Sequence, residues 1–167
     1  MISAILLAIC LTVSAVSADE DWSFSFSSSE SSNSDGGAIS FENGKLVLQG
    51  IELTIPDGYE ENESAQILAD DADVADAKDA KFSLCQFVKD GKEIVVKVFF
   101  FDEDKDVEFS ELTLLDGEVE KTMAGIDGAY DPNKYDDNTP TFRFLKDGKI
   151  VLVNAPDDDT INSILKN

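Results

Sequence analysis

The clearest hydrophobic pattern lies in residues 82–101, where two apolar runs flank a polar turn. The first run alternates apolar and polar positions, and the return run Ile94–Phe101 is apolar on both faces except at Lys97. Asp90-Gly91 lies between the runs and accepts the positive φ angles of a two-residue hairpin loop. A strand with two apolar faces belongs inside a sheet rather than at its edge. This stretch therefore predicts a central β-hairpin.

An aromatic residue, an Asn/Asp-Gly-Lys turn and an aliphatic run recur in the same order in residues 41–48 and 142–153. Three such hairpin signals indicate an antiparallel sheet. Near the C-terminus, residues 157–160 can cap a short helix whose apolar positions are Ile161, Ile164 and Leu165. The predicted fold class is α+β: a mainly antiparallel β-sheet built from hairpins, with a short C-terminal helix.

The segments between these hairpins carry weaker patterns. Residues 46–55 predict two strand segments with Gly50 as a bulge or bend. Residues 60–80 are acidic and alanine-rich, and a helix or an irregular strand followed by a loop fits them equally well. Residues 122–130 predict a strand, a turn and a second strand. Further core residues are expected at Phe109, Leu112, Leu114 and Leu115.

Composition divides the chain into three parts. Residues 1–18 are mostly apolar and end in small residues at Val16-Ser17-Ala18, so they predict a signal peptide cleaved after Ala18. An uncleaved anchor is the alternative, although the apolar run falls short of the ~20 residues that span a bilayer. Residues 19–37 form an aromatic and Ser-rich tail, and residues 38–167 form a single domain. The predicted location is therefore extracellular or in the cell envelope.

Trp22, Phe24 and Phe26 alternate with polar residues at the start of the tail. The alternation fits either a loosely docked tail or a strand added to the sheet. These aromatic side chains are the predicted contacts with a partner, which we expect to be a protein or a cell-wall polymer.

The charge balance restricts the possible partners. The sequence has 13 basic and 35 acidic residues, for a net charge of −22. This charge repels phosphates and anionic lipid headgroups, so neither nucleic acid nor an anionic membrane surface is an expected partner. Cys85 is the one cysteine after the leader, and we expect it to be a small buried residue rather than a reactive thiol. We expect a monomer.

Few residues suit catalysis. Histidine is absent, which excludes a histidine-based triad, and no glycine-rich phosphate loop follows a strand. Arg143 is the one arginine, and its place in a strand between two phenylalanines predicts a solvent-facing side chain. We therefore expect no enzyme activity and no cofactor. A small carboxylate-based hydrolase is the less favoured alternative.

An acidic loop provides a weak candidate for calcium. Asp102, Asp104, Asp106 and Glu108 alternate along it, and hard cations bind several such oxygens. The loop is not an EF-hand, because Val107 and Thr113 stand where that motif needs glycine and a bidentate glutamate. A solvated acidic turn is favoured over a cation-dependent surface protein. Separately, Asn62-Glu63-Ser64 is a glycosylation sequon in an exposed acidic stretch.

Three stretches carry a resemblance to a known group of proteins: the Phe24-Ser25-Phe26-Ser27 start, the Ser-rich run 31–37 and Ile55-Pro56-Asp57-Gly58-Tyr59. The chain resembles small exported proteins of unknown function from methanogenic archaea, which implies an archaeal envelope or secreted location and no assigned activity. The last quarter is also similar to small envelope domains in which an antiparallel sheet packs on helices. The combined expectation is an exported, non-catalytic binding or interaction module.

Overall fold

A computed structural model describes residues 39–68, 80–101, 107–134 and 138–166. Within these ranges the chain forms ten strands and one helix. Their bounds are β1 Ser40–Glu42, β2 Lys45–Leu48, β3 Ile51–Thr54, β4 Glu60–Leu68, β5 Lys81–Lys89, β6 Lys92–Phe100, β7 Val119–Met123, β8 Ile126–Asp131, β9 Thr141–Lys146, β10 Lys149–Asn154 and α1 Asp158–Leu165.

The strands form two antiparallel sheets. The small sheet has the order β1-β2-β3, and the large sheet has the order β4-β5-β6-β10-β9-β8-β7. Strand β6 lies between β5 and β10, so the predicted central position of the return strand is confirmed. The predicted fold class is also confirmed, since antiparallel sheet dominates and one short helix follows it.

Two-residue turns connect most neighbouring strands. Asp90 and Gly91 have φ angles of 50° and 74°, the left-handed values that a type I′ hairpin needs at both positions. The other two predicted Asn/Asp-Gly turns have the same geometry. Gly50 does not form the predicted bulge or bend. It is the second residue of a turn with Gln49 that reverses the chain between β2 and β3.

The segment 60–80 divides into a strand and a part outside the described residues. Residues 60–68 form β4, which pairs with β5 at the edge of the large sheet. Of the two structures that fitted the sequence, the strand is therefore the one found for residues 60–68. Its pairing register shifts between Glu61 and Glu63, where Asn62 is an extra residue without a partner on β5.

The small sheet and α1 pack on one face of the large sheet, called here the inner face. The buried cluster at this face combines residues of the two sheets and the helix. They are Leu46, Leu48, Ile51 and Leu53 of the small sheet, Cys85, Phe87, Ile94, Val96, Phe142, Phe144, Val151 and Val153 of the large sheet, and Ile161, Ile164 and Leu165 of α1. Burial of each large apolar side chain contributes about 1.5–3 kcal/mol. Cys85 is fully buried, as predicted, and burial raises the pKa of its thiol to about 12.

The opposite face of the large sheet, called here the outer face, is partly covered by residues 107–118. Phe109 and Leu112 of this segment pack against a second buried cluster that contains Phe99, Ile150 and Leu152. The prediction that Leu114 belongs to the core is wrong, because 42% of its surface is exposed. The segment 107–118 has no regular secondary structure, so no helix or strand periodicity fixes which of its apolar side chains face the sheet.

Helix α1 begins as predicted. The Asp157 side chain caps it by accepting a hydrogen bond of 2.8 Å from the backbone amide of Thr160. Ile161, Ile164 and Leu165 are buried against the inner face. In the described part of the chain, no helix combines the length and apolar character needed to cross a membrane.

Candidate functional site

Arg143 is buried, and the prediction that it faces solvent is wrong. Phe142 and Phe144 occupy the inner face of β9, so strand alternation directs Arg143 to the outer face. Residues 113–118 cover it there, and the side chains of Arg143 and Glu118 are each only 1% exposed. The sequence could not show this cover, because the covering segment lies 25 residues away and has no strand pattern.

The Arg143 guanidinium binds Glu118 through two atoms. Its Nε donates to Oε1 at 2.7 Å and its Nη2 donates to Oε2 at 2.5 Å, while Nη2 also donates to the carbonyl oxygen of Thr113 at 3.0 Å. Glu118 Oε2 accepts a further bond of 2.8 Å from the backbone amide of Leu115. Such bidentate pairs fix geometry as well as charge. This pair therefore fixes the conformation of residues 113–118 just before β7.

The pKa of Glu118 is lowered by this arrangement. Burial acts to raise it, but hydrogen bonds from Arg143 and Leu115 and the positive charges of Arg143 and Lys134 outweigh burial. The carboxylate is therefore charged at neutral pH, as the geometry of the pair requires.

A hairpin follows this pair and ends the large sheet. Strands β7 and β8 pair through Met123↔Ile126, and Ala124 and Gly125 form the turn with φ angles of 50° and 83°. Gly128 allows β8 to lie close to β9, because a β-carbon there would lie 2.3 Å from the carbonyl oxygen of Arg143. Strand–turn–strand was predicted for this stretch and is confirmed.

Strand β7 ends the large sheet in the described part of the chain, and the edge that it presents there is called here the open edge. In a two-residue hairpin the residues that flank the turn exchange both backbone hydrogen bonds, and bonded pairs then alternate along the ladder. The register therefore directs the backbone groups of Val119, Lys121 and Met123 toward β8 and those of Glu120 and Thr122 away from it. Within the described residues, no strand lies beyond β7.

On the inner face, Lys121 of β7 joins Asp158 of α1. The Lys121 Nζ lies 2.7 Å from Asp158 Oδ2, and the Tyr130 hydroxyl donates to Asp158 Oδ1 at 2.8 Å. The same Nζ lies 3.5 Å from the centroid of the Tyr130 ring. Three side chains thus tie the edge hairpin to the first turn of the helix.

The pKa values of this cluster keep its members in their ordinary states at neutral pH. Burial and the bond to Asp158 raise the pKa of Tyr130. The pKa of Lys121 is also raised: burial acts to lower it, but the bond to Asp158 and its charge outweigh burial. For Asp158, burial acts to raise the pKa, and the bonds from Lys121 and Tyr130 lower it overall. None of the three is shifted toward a proton transfer near neutral pH.

A groove of about 610 Å³ lies beside the β7–β8 hairpin on the outer face. It is lined by apolar residues of the covering segment and polar residues of the hairpin: Leu112, Leu114, Glu120, Lys121, Thr122, Asp127 and Gly128. Thr122 Oγ1 donates to Asp127 Oδ1 at 2.6 Å. Glu120 and Asp127 are exposed, and the Lys121 charge is already bound to Asp158. The groove therefore combines two leucines with an excess of negative charge.

Of the predicted site residues, Glu108 alone lies in the described part of the chain, and it is not among the residues that line this groove. Trp22, Phe24, Phe26, Ala18, Asp102, Asp104 and Asp106 lie outside the described residues. Glu108 is exposed, and its carboxylate lies beside the β9–β10 turn, 2.7 Å from where a β-carbon on Gly148 would be. Among the residues that the structure describes, no three acidic, cysteine or histidine side chains come together as a metal site would need.

Sequence reasoning missed the residues that form the site. Glu118, Lys121, Tyr130 and Asp158 bring together segments up to 37 residues apart, and no local spacing signals their contacts. One signal was available for Arg143: a single arginine on the alternate face of an aromatic strand is a candidate for a buried ion pair.

Comparison with known proteins gives no relative, because no protein-family model, curated protein or solved structure matches the chain.

Proposed function

We propose that the protein is an exported, non-catalytic binding module that receives an extended polypeptide segment at β7. The observation that carries this proposal is the open edge of β7 beside the leucine-lined groove. A strand that adds to a sheet edge gains affinity from backbone hydrogen bonds and specificity from alternate side chains. Glu120 and Thr122 supply the outward backbone groups for such pairing.

The two edges of the large sheet differ in a way that favours β7. Strand β4 has a register shift, which discourages strand addition. Strand β7 pairs with β8 without a register shift, and its first residue, Val119, is 55% exposed. The ion pairs of Glu118 and Lys121 hold β7 in place. Strand β7 therefore loses little conformational entropy when a partner strand binds.

The chemistry of the groove indicates the kind of partner. Glu120 and Asp127 place negative charge on the outer face of the hairpin, and the whole chain has a net charge of −22. Leu112 and Leu114 offer apolar contact beside those carboxylates. We propose an extended segment of a partner protein in which basic and apolar residues alternate. A wall polysaccharide fits less well, since its sugar units do not present the regularly spaced backbone amide and carbonyl groups of an extended polypeptide.

The aromatic residues Trp22, Phe24 and Phe26 stay predicted as a second contact. They lie outside the described residues, and the proposal for β7 does not depend on them. Replacing all three by serine is therefore expected to leave binding at β7 unchanged.

A pair of substitutions tests the open edge. An acetylated and amidated peptide of alternating valine and lysine serves as the probe, with calorimetry as the measurement. Glu120→Ala removes the carboxylate and keeps the outward amide, so binding should weaken only a few-fold. Glu120→Pro removes the carboxylate and the amide, and proline is tolerated where an edge amide faces solvent. Binding should then be lost.

Equal affinities of the two variants would contradict strand addition at β7. Circular dichroism melts of both variants serve as the control, because the comparison requires that each retains the hairpin. An uncharged peptide of alternating valine and serine should bind more weakly than the basic one, and equal binding would contradict the proposed charge complementarity.

A further inference from the structure

Asn62 has an exceptional place in the large sheet. It is the extra residue at the register shift of β4, between the pairs Glu61↔Phe87 and Glu63↔Gln86. A bulged residue is unpaired and its side chain is re-aimed relative to the ladder. The Asn62 and Ser64 side chains are both exposed, and β4 is an edge strand. Asn62, Glu63 and Ser64 also form the sequence's single Asn-x-Ser/Thr triplet.

We propose that Asn62 is a site of N-linked glycosylation. The triplet provides the acceptor amide and the hydroxyl residue that sequon-directed transfer requires. The folded protein provides room, because an exposed bulge on a sheet edge leaves a bulky glycan in solvent. An asparagine whose side chain lay on a buried face of the sheet would not, since a glycan there would displace the packed core.

The reaction balances with one co-reactant, a sugar chain linked through phosphate to a lipid carrier. The Nδ2 atom of Asn62 forms a bond to the anomeric carbon of the first sugar, and the bond from that carbon to the carrier phosphate breaks. The phosphate leaves with the bonding electrons, and Nδ2 loses one proton. No atom is oxidised or reduced.

The native contact of Asn62 survives this change. Its Nδ2 donates to Gln86 Oε1 at 2.9 Å, an exposed bond. An amide nitrogen has two hydrogens, so the glycosylated nitrogen retains one to donate.

The test uses the full chain in a host whose secretory pathway glycosylates sequons, with the chain's own leader and, in parallel, behind a leader of that host. Mass spectrometry of the peptide that contains Asn62 is the measurement. The expected result is at least one sugar on Asn62, its loss in Asn62→Gln and Ser64→Ala, and its retention in Ser64→Thr. Asn162→Gln, outside any sequon, is the matched control and should retain the glycan.

Unmodified Asn62 in the protein secreted behind the host leader would overturn the proposal, as would a glycan that persists in Ser64→Ala. The proposal shares one premise with the proposed function, which is export. If Asn62 is glycosylated behind the host leader but the chain is not secreted with its own leader, the result counts against export and not against the glycosylation site. Binding of the peptide probe at β7 is measured separately and does not depend on the glycan.

Discussion

Two ion pairs hold β7 from opposite faces of the large sheet, and they differ mainly in their contact with water. Glu118 and Arg143 lie on the outer face with side chains 1% exposed, at a closest distance of 2.5 Å. Lys121 and Asp158 lie on the inner face with side chains 32% and 44% exposed, at 2.7 Å. The distances are similar, so distance does not separate the two pairs in energy.

The difference lies in what happens when one partner is removed. A buried charge that loses its partner cannot recover hydration, whereas an exposed charge exchanges its partner for water at little cost. The buried pair therefore strongly constrains residues 113–118, which include Leu114 in the lining of the groove. The exposed pair aligns the hairpin with α1 and adds little to the free energy of unfolding.

The largest expected effect comes from Glu118→Gln. The substitution preserves the shape of the side chain and removes the carboxylate charge that binds the buried Arg143 guanidinium through two atoms. We expect the free energy of unfolding to fall by about 3–5 kcal/mol, measured by urea denaturation. The matched control is Glu120→Gln, an exposed neighbour that should change stability by no more than about 0.5 kcal/mol. A similar small change for both variants would contradict the contrast between the pairs.

A double substitution sharpens the contrast. Glu118→Gln combined with Arg143→Met removes both charges of this pair. We expect the double variant to be more stable than the sum of the single effects predicts, with a coupling free energy of about 0.5–3 kcal/mol. Simple additivity in a double-mutant cycle would show that the two residues do not act as a pair.

A third prediction concerns pH. The pKa of Glu118 is lower in the folded than in the unfolded state, so its contribution to stability is present above the ordinary glutamate pKa of about 4.3. That contribution is lost as the pH falls through the lowered folded-state pKa. The stability difference between wild type and Glu118→Gln should therefore be constant from pH 7 to about pH 5 and shrink below about pH 4.3. Denaturation at a series of pH values measures it, and a constant difference down to acid pH would contradict it.

The smallest expected effect comes from Lys121→Met. The exposed pair with Asp158 should be worth about 0.2–1 kcal/mol, measured by the same denaturation. Added salt should reduce this difference, because solvent-exposed charges are screened. The Glu118→Gln difference should persist in the same salt, since a buried pair is screened much less. An effect of Lys121→Met as large as that of Glu118→Gln would contradict the claim that the buried pair stabilises the fold more than the exposed pair does.

Prediction from sequence succeeded where the determining interactions are local. Asp90-Gly91 specified its hairpin because the two residues together accept the required positive φ angles. The run Ile94–Phe101 indicated a central strand because both of its faces are apolar, and Asp157 indicated the start of α1 because its side chain caps the helix. Gly50 was misassigned because Gln49-Gly50 is a weaker turn signal than Asn-Gly or Asp-Gly, although its φ angles are similar.

The candidate site could not be predicted in the same way. Arg143 required knowledge of the segment that covers β9, and that segment has no periodic pattern. The Lys121, Tyr130 and Asp158 cluster depends on α1 packing beside β7. The spacing of these three residues along the sequence does not predict that α1 packs beside β7. The open edge of β7 is likewise a property of strand order, which hairpin signals leave undetermined.

The sequence by itself determined the turns, the strand faces, the helix cap and the acidic character of the chain, because φ preferences, alternation and charge are properties of neighbouring residues. Only the tertiary structure decided which strand ends the described sheet, that the one arginine is buried and which carboxylates face a groove. Those outcomes depend on packing between segments far apart in the chain, where burial changes the energy of the same charge.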